Sequence, residues 1–324
     1  MKETTGFPPI APEAIIEAVE AHLGTFLEPV LHPYRSYVNQ TYGLRDEDGG
    51  RFVVKFYRPG RWSHDAIAEE HRFLADCAEA GLSVVAPLPS GSGGTVGELS
   101  GVRFAVFPFR SGRTFDVYAE SDWERLGSLV GSLHRVSGRR DAPARLRLDP
   151  AETTAGHLSA LRSSGLVHPE LAERFFSLAD DALELAARRF RSLSSAPIRI
   201  HGDCHRGNIL DPADGTLVLI DFDDMMVGPA VQDLWLLLPD RLPAARAEME
   251  AILSGYERAI PFDRASLALV EPLRFMRQVY FLHWVALQTG DPDFADRFPD
   301  WGGRAFWVTE TEDLATQLDW IRDE

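Results

Sequence analysis

Three side chains in the second half of the chain have the types and spacing that phosphoryl transfer requires. Asp203 and Asn208 lie five residues apart in His201-Gly-Asp-Cys-His-Arg-Gly-Asn208, and Asp221 follows thirteen residues later in Leu217-Val-Leu-Ile-Asp-Phe-Asp-Asp224. Such chemistry needs one carboxylate to orient and deprotonate a hydroxyl. It also needs an amide and a second carboxylate to hold magnesium against the phosphates. Asp203 suits the first task, and Asn208 with Asp221 suits the second.

The residues around them say how they are held. Ile198 to Ile200 reads as a short buried strand that delivers the polar loop, and Leu217 to Ile220 as a second one. A turn at Asp211 to Gly215 joins Asn208 to that second strand, so Asp221 arrives on a hairpin. The same loop offers a competing zinc set in His201, Asp203, Cys204 and His205. Adjacent Cys204 and His205 point apart on extended backbone, and no second His/Cys cluster completes four ligands. His201 is therefore expected to buttress the loop through hydrogen bonds.

A nucleotide would need its own anchors, and the first third of the chain supplies candidates. Tyr34 to Leu44 and Arg51 to Tyr57 read as two strands joined by the turn Asp46-Glu-Asp-Gly-Gly50. Phe52, Val54 and Phe56 share one face of the second strand, leaving Val53, Lys55 and Tyr57 on the other. Ser63 is a helix N-cap, and the helix ends before Gly81. Its apolar stripe, Ile67, Phe73, Leu74 and Cys77, encloses Glu70, whereas Glu69 is turned about 100° away. A carboxylate on an apolar face needs a partner, and Lys55, which would reach the α and β phosphates, is the expected one. Neither Gly-x-Gly-x-x-Gly nor a Walker-type Gly-Lys-Ser/Thr occurs. Ser36, Asn39 and Gln40, in Arg35-Ser-Tyr-Val-Asn-Gln-Thr-Tyr42, are the candidates to cover the phosphates instead.

The other elements must frame these groups. A helix is expected from about Pro12 to Leu23 with Gly24 as its stop, and strands around Val84 to Pro87 and Val102 to Pro108, with a turn at Ser90 to Gly101 between them. Ser121-Asp-Trp-Glu124 has the form of a capping box opening a helix to about Val136, and another helix spans roughly Pro169 to Leu193. From Pro229 onward the pattern is helical. The expected class is α+β, with residues 1–110 β-rich, residues 111–324 mainly helical, and the boundary near Phe109 to Thr114.

Composition narrows the partners. The 324 residues carry a formal net charge of −16, with 45% hydrophobic and 25% charged residues, as in ordinary soluble domains. That charge argues against binding nucleic acid or an anionic membrane surface, so a phosphate must be held by local cations or metal. Two cysteines and no basic-then-apolar leader point to a reducing cytoplasm. A monomer is the default.

These segments resemble a known group. His201-Gly-Asp-x-His-x-Gly-Asn208, Ile220-Asp-Phe-Asp-Asp224 and Gly228-Pro-Ala-Val-Gln-Asp-Leu-Trp235 look like the aminoglycoside phosphotransferase and choline kinase superfamily. Phe52-Val-Val-Lys-Phe-Tyr-Arg-Pro-Gly-Arg-Trp62, Phe104-Ala-Val-Phe-Pro108 and Glu271-Pro-Leu-Arg-Phe-Met-Arg277 resemble one branch of it, bacterial serine/threonine protein kinases of the stress response. The likeness runs from about Tyr34 to Asp300. It implies a bilobal protein-kinase-like fold using ATP and Mg2+. In that reading Asp203 is the proton acceptor, Asn208 and Asp221 are magnesium ligands, and Lys55 pairs with Glu70. Ser36 lies against the phosphates, and Phe107 to Phe109 form the hinge whose backbone receives adenine. Asp233 steadies the catalytic loop from below.

Asp221-Phe-Asp223 stands where protein kinases have Asp-Phe-Gly, and no Ala-Pro-Glu follows. Control through a phosphorylated activation loop is therefore not expected, and Asp223 is a further candidate for a second magnesium. The implied acceptor is a protein Ser or Thr hydroxyl, autophosphorylation included. The rival acceptors are an aminoglycoside, choline or homoserine-type small molecule, for which the acidic surface would suit a cation. A nucleotide-binding scaffold without catalysis is the remaining alternative.

Overall fold

The computed structural model describes residues 6–34, 36, 38–192, 196–212 and 214–323. Arg35 and Tyr37 of the expected hairpin, Leu193 at the expected helix end and Ala213 in the expected turn lie outside them. Helix α1 (Pro12–Leu23) starts with proline, whose missing N–H costs nothing at a helix start, and stops at Gly24 in the left-handed region at φ 71°. Five strands follow: β1 (His32–Tyr34), β2 (Gln40–Arg45), β3 (Arg51–Phe56), β4 (Gly97–Leu99) and β5 (Val102–Pro108). They pair antiparallel in the order β1-β2-β3-β5-β4. The β2–β3 hairpin closes at Arg45 opposite Arg51, across the expected turn.

The period-2 pattern sends the two faces of this sheet to different cores. Val54, Phe56, Phe104 and Val106 pack with Ile15 and Val19 of α1. From the other face Tyr57, Ala105 and Phe107 join Ile67, Phe73 and Leu74 of helix α2 (His64–Glu79). Ser63 caps α2 by accepting the Ala66 N–H at 3.1 Å. Lys55 is therefore on the α2 face of the sheet, as the alternation predicts.

The remainder is mainly helical. Strand β6 (Arg113–Thr114) pairs with β8 (Ile209–Asp211), which pairs with β9 (Val218–Leu219). Strand β7 (Ile198–Ile200) pairs with β10 (Met226–Gly228). Around them lie α3 (Glu120–Ser137), α4 (Ala155–Ser164), α5 (Pro169–Ser192), α6 (Val231–Trp235), α7 (Arg246–Tyr256), α8 (Val270–Leu287), α9 (Phe294–Arg297) and α10 (Arg304–Asp323). One core centres on Phe175, Phe275 and Trp307, between α5, α8 and α10. No helix among the described residues is long and apolar enough to cross a membrane.

Several expectations need correction. Val84 to Pro87 is no strand: Val84 makes one isolated bridge to Leu219, and the strand beside β5 is Gly97–Leu99, inside the expected turn. Tyr34 to Leu44 is not one strand but parts of β1 and β2. The cap of α3 is Ala119 rather than Ser121; the Asp122 carboxylate accepts the N–H groups of Ala119 (3.1 Å) and Tyr118 (3.0 Å). Glu69, turned off the apolar stripe, is nevertheless buried because it accepts the Ala144 N–H at 2.9 Å from an overlying loop.

Helices α3 and α7 touch backbone to backbone. A Cβ on Gly127 would lie 1.8 Å from the Ile252 carbonyl oxygen, a contact no rotamer relieves. Gly127→Ala should therefore force the helices apart and destabilise the fold by at least about 1–3 kcal/mol, the usual overpacking range. Urea unfolding of the variant, with an unchanged midpoint as the contrary result, checks this.

Candidate active site

The catalytic loop hangs from a buried carboxylate. Asp233, fully buried on α6, accepts the backbone N–H groups of His201 (2.7 Å) and Gly202 (2.9 Å) and bonds His134 Nε2 at 3.0 Å. Gly202 has φ 83°, and a Cβ there would sit 2.1 Å from the Asp224 carbonyl oxygen. Gln232 secures the Gly202 carbonyl at 3.2 Å. The turn is thus specified by its surroundings, and it ends on Asp203.

His201 has both ring nitrogens committed. Nε2 donates to the Ile220 carbonyl at 2.9 Å, while Nδ1 faces the Asp203 N–H at 3.4 Å. Cys204 is fully buried, and burial pushes its thiol pKa well above the ordinary value, which disfavours the thiolate a metal would need. The zinc reading loses two of its four ligands. Among the described residues no three His, Cys, Asp or Glu side chains converge on a metal position.

Asp203 meets an arginine and a histidine. Arg277 Nη2 on α8 lies 2.8 Å from its Oδ1, and His205 Nε2 lies 3.5 Å from its Oδ2. Burial pushes its pKa up, but the bonds and charges of His205 and Arg277 outweigh this and hold it well below the usual carboxylate range. The carboxylate is ionised at neutral pH and able to accept a hydroxyl proton's hydrogen bond.

Asn208 donates Nδ2 to the Asp203 carbonyl at 3.0 Å, so the free end of its amide is oxygen. Asp221 leaves the β8–β9 hairpin with φ 60° and ψ 66°, a left-handed conformation that costs a non-glycine residue about 1–2 kcal/mol. The next side chain, Phe222, is buried against His201 and Phe73, which forces this bend. Asp223 Oδ1 is buried without a hydrogen-bond partner. An amide oxygen and carboxylates form the hard-oxygen set that magnesium takes together with substrate phosphates, so Asn208 and Asp221 fit that ion.

The expected Lys55–Glu70 ion pair is replaced by another. Lys55 Nζ bonds Asp221 Oδ1 at 3.0 Å. Glu70 instead receives the Tyr57 hydroxyl at 3.4 Å, with Arg145 at 3.9 Å. The physical reason is that Tyr57 and Arg145 crowd Glu70 while the bend at Asp221 carries its carboxylate to Lys55. The Lys55 charge holds the Asp221 pKa below its ordinary value. Burial opposes the charge on Lys55, but Asp221, Asp223 and Glu70 overcome that and raise its pKa.

A cleft of about 400 Å³ gathers Ser36, Asn39, Lys55, Glu70, Phe107 and Phe109 with Asp221. Its apolar wall includes Val53, Leu210 and Ile220. Asn39 Oδ1 already accepts the Arg58 N–H at 3.1 Å, and Phe109 gives its own N–H to the Arg51 carbonyl at 2.9 Å. Asn39 thus shapes the cleft while its amide oxygen is occupied, and the Phe109 amide is not a free donor for adenine.

Sequence reasoning missed the arginines. Arg145, buried under Trp62 at 3.9 Å from the ring centre, donates to the carbonyls of Met225 (2.6 Å) and Asp223, clamping the turn that follows Asp221. Arg61 pairs with Asp224 at 2.6 Å and lies 3.4 Å from Asp223. Only the resemblance of Glu271 to Arg277 to a family segment hinted at Arg277.

Burial lifts the Glu70 carboxyl from an ordinary 4.5 to about 7. Its protonated form is favoured on folding, so the stability it contributes is complete below pH 4.5 and lost as pH rises through 7. Glu70→Gln should remove that loss. Relative to the variant, wild type should fall by about 3 kcal/mol between pH 4 and pH 8. Urea titrations at both pH values test this, and parallel pH dependences would refute it.

The comparisons with known proteins agree with this geometry. The sequence profile described as "Phosphotransferase enzyme family" matches residues 31–270. "Serine/threonine protein kinase RdoA" of Salmonella typhimurium is 37% identical over 311 residues, covering 96% of this chain and 93% of that protein. "Stress response kinase A" of Escherichia coli K12 is 35% identical over the same coverage. Among solved structures, the amicoumacin kinase hAmiN with AMP-PNP, Ca2+ and Ami superposes with TM-score 0.74 at 17% identity, covering 94% of this chain and 93% of that one. A microcompartment-associated aminopropanol kinase gives TM-score 0.71 at 19% identity, covering 95% and 97%.

Proposed function

The chain belongs to the phosphotransferase enzyme family, and from that premise we propose that it moves the γ-phosphoryl group of ATP to a serine or threonine hydroxyl of a protein. The observation that carries this reading is Asp203, bound by Arg277 at the head of a loop that also presents Asn208, with Asp221 facing Lys55 nearby. Two relatives named as a serine/threonine protein kinase and a stress response kinase, alike over nearly their whole length, favour a protein acceptor. The small-molecule kinases among the solved structures are under 20% identical and speak for the fold alone. Cytoplasmic activity as a monomer, autophosphorylation included, belongs to the same proposal.

Each residue has a task in it. Asp203 accepts the hydrogen bond of the acceptor hydroxyl and takes its proton as the oxygen bonds to the γ-phosphorus. The bond from that phosphorus to the β–γ bridging oxygen breaks, and ADP departs with the electron pair. Lys55 turns from Asp221 to the phosphates and holds them in line. Asn208 and Asp221 would hold magnesium, which would neutralise phosphate charge. Arg145 keeps the Asp223 and Met225 carbonyls fixed, so the turn bearing Asp221 does not drift.

Asp203→Asn removes the proton acceptor and keeps the side-chain shape. Transfer from labelled ATP to a generic protein acceptor or to the chain itself should fall by about 10²–10⁴. Magnesium-ATP binding, read by thermal shift, should persist. Transfer undiminished in the variant would remove Asp203 from the mechanism.

A further inference from the structure

Beside Asp203 lies a second cavity, of about 260 Å³, that shares no lining residue with the nucleotide cleft. It lies just below the roughly 300–1,000 Å³ of sites that enclose a drug-sized ligand. Its acids are already answered. Asp203 is met by Arg277 at 2.8 Å, and Asp224 by Arg61 at 2.6 Å and the Tyr280 hydroxyl at 3.3 Å. His157, stacked on His283 at 4.6 Å between ring centres, is held neutral by burial, which pushes its pKa down to about 4. A cationic acceptor entering here would find two arginines and no unpaired carboxylate among the described lining residues.

Thr153, Thr154 and Gln232 add polar groups, and much of the rest of the wall is apolar. Trp62, Met226, Met276, Phe281 and Trp284 contribute rings and thioethers, which adapt to varied apolar shapes. Phe281 is 47% exposed on α8 and stacks on Trp284 at 6.2 Å. The exposed Phe281 ring, backed by the half-buried Trp284 beside Asp203, gains by being covered when the acceptor docks.

We propose that this cavity selects an acceptor whose Ser or Thr hydroxyl is flanked in the peptide by a large aliphatic or aromatic residue. That side chain packs against Phe281 and Trp284 while the hydroxyl reaches Asp203. The inference rests on the protein-kinase reading above and names the substrate class within it. Arg277 then acts as a positioning residue: it stays on Asp203 Oδ1, and the hydroxyl approaches Oδ2, where His205 Nε2 is the more distant neighbour at 3.5 Å.

The test is steady-state phosphorylation of matched peptides that differ only at the residue next to serine, with Phe, Leu, Lys or Glu there on either side. Phe and Leu peptides are expected to exceed Lys and Glu peptides at least about 10-fold in kcat/KM, the scale of discrimination by an apolar pocket. Trp284→Ala should bring that ratio toward one. Phe281→Asp, at an exposed position, should reverse it in favour of Lys. Equal rates for all four peptides, or a Lys or Glu preference in wild type, overturn the proposal and leave the kinase reading standing. Phosphorylation of an amino alcohol or sugar with no peptide or protein labelled overturns both.

Discussion

The site depends on one buried carboxylate. Asp233 is out of water, where an unsatisfied charge would cost several kcal/mol, so the groups that satisfy it are held in place. Those groups are the backbone N–H of His201 and of Gly202 and the ring of His134. His201 passes the constraint on, since its ring bonds the Ile220 carbonyl immediately before Asp221. One hydrogen-bonded chain thus runs from α3 through α6 to both the loop of Asp203 and the hairpin of Asp221. The close α3–α7 contact matters for chemistry because α3 carries His134, which also bonds the Tyr256 hydroxyl on α7 at 3.0 Å.

The site as a whole gathers carboxylates that repel one another. Glu70, Asp203, Asp221, Asp223 and Asp224 face Lys55, Arg61, Arg145 and Arg277. The acids outnumber the bases by one, and burial relieves the excess by raising the pKa values of Glu70 and Asp224. Bringing in the phosphates of ATP would worsen the balance. A divalent cation on Asp221 and Asn208 would offset part of it and free Lys55 to turn toward the phosphates. Charge balance, as well as geometry, therefore favours the proposal that a metal accompanies the nucleotide here.

Much of this was legible in the sequence because it is local. Asp203, Asn208 and Asp221 sit on one strand–loop–hairpin, and spacing alone relates them; Ser63 and the Asp46–Gly50 turn are likewise local chemistry. What escaped is long-range. Arg145 reaches Asp223 across 78 positions and Arg277 reaches Asp203 across 74, and no period marks an arginine destined for burial. The Lys55–Glu70 expectation paired two residues close in sequence, when the nearer carboxylate was 166 positions away. At Val84 to Pro87 the apolar run had the look of a strand, but Pro87 has no N–H to give a ladder. The strand formed instead at Gly97, where the missing side chain leaves room for the Phe104 ring.

Global charge was a poor guide to the site. A formal charge of −16 suggests a molecule that attracts cations, and at long range it does so, raising their encounter rate. Recognition is decided within a few ångströms, however, and there the carboxylates lining the cavity beside Asp203 are each met by an arginine. Those pairs are partly buried and screened less than surface charges, so a positive acceptor would have to displace a guanidinium to reach an acid. The acidic surface and the neutral, apolar cavity therefore do different work. One sets the long-range field, and the other would leave shape and apolar contact to choose what meets Asp203.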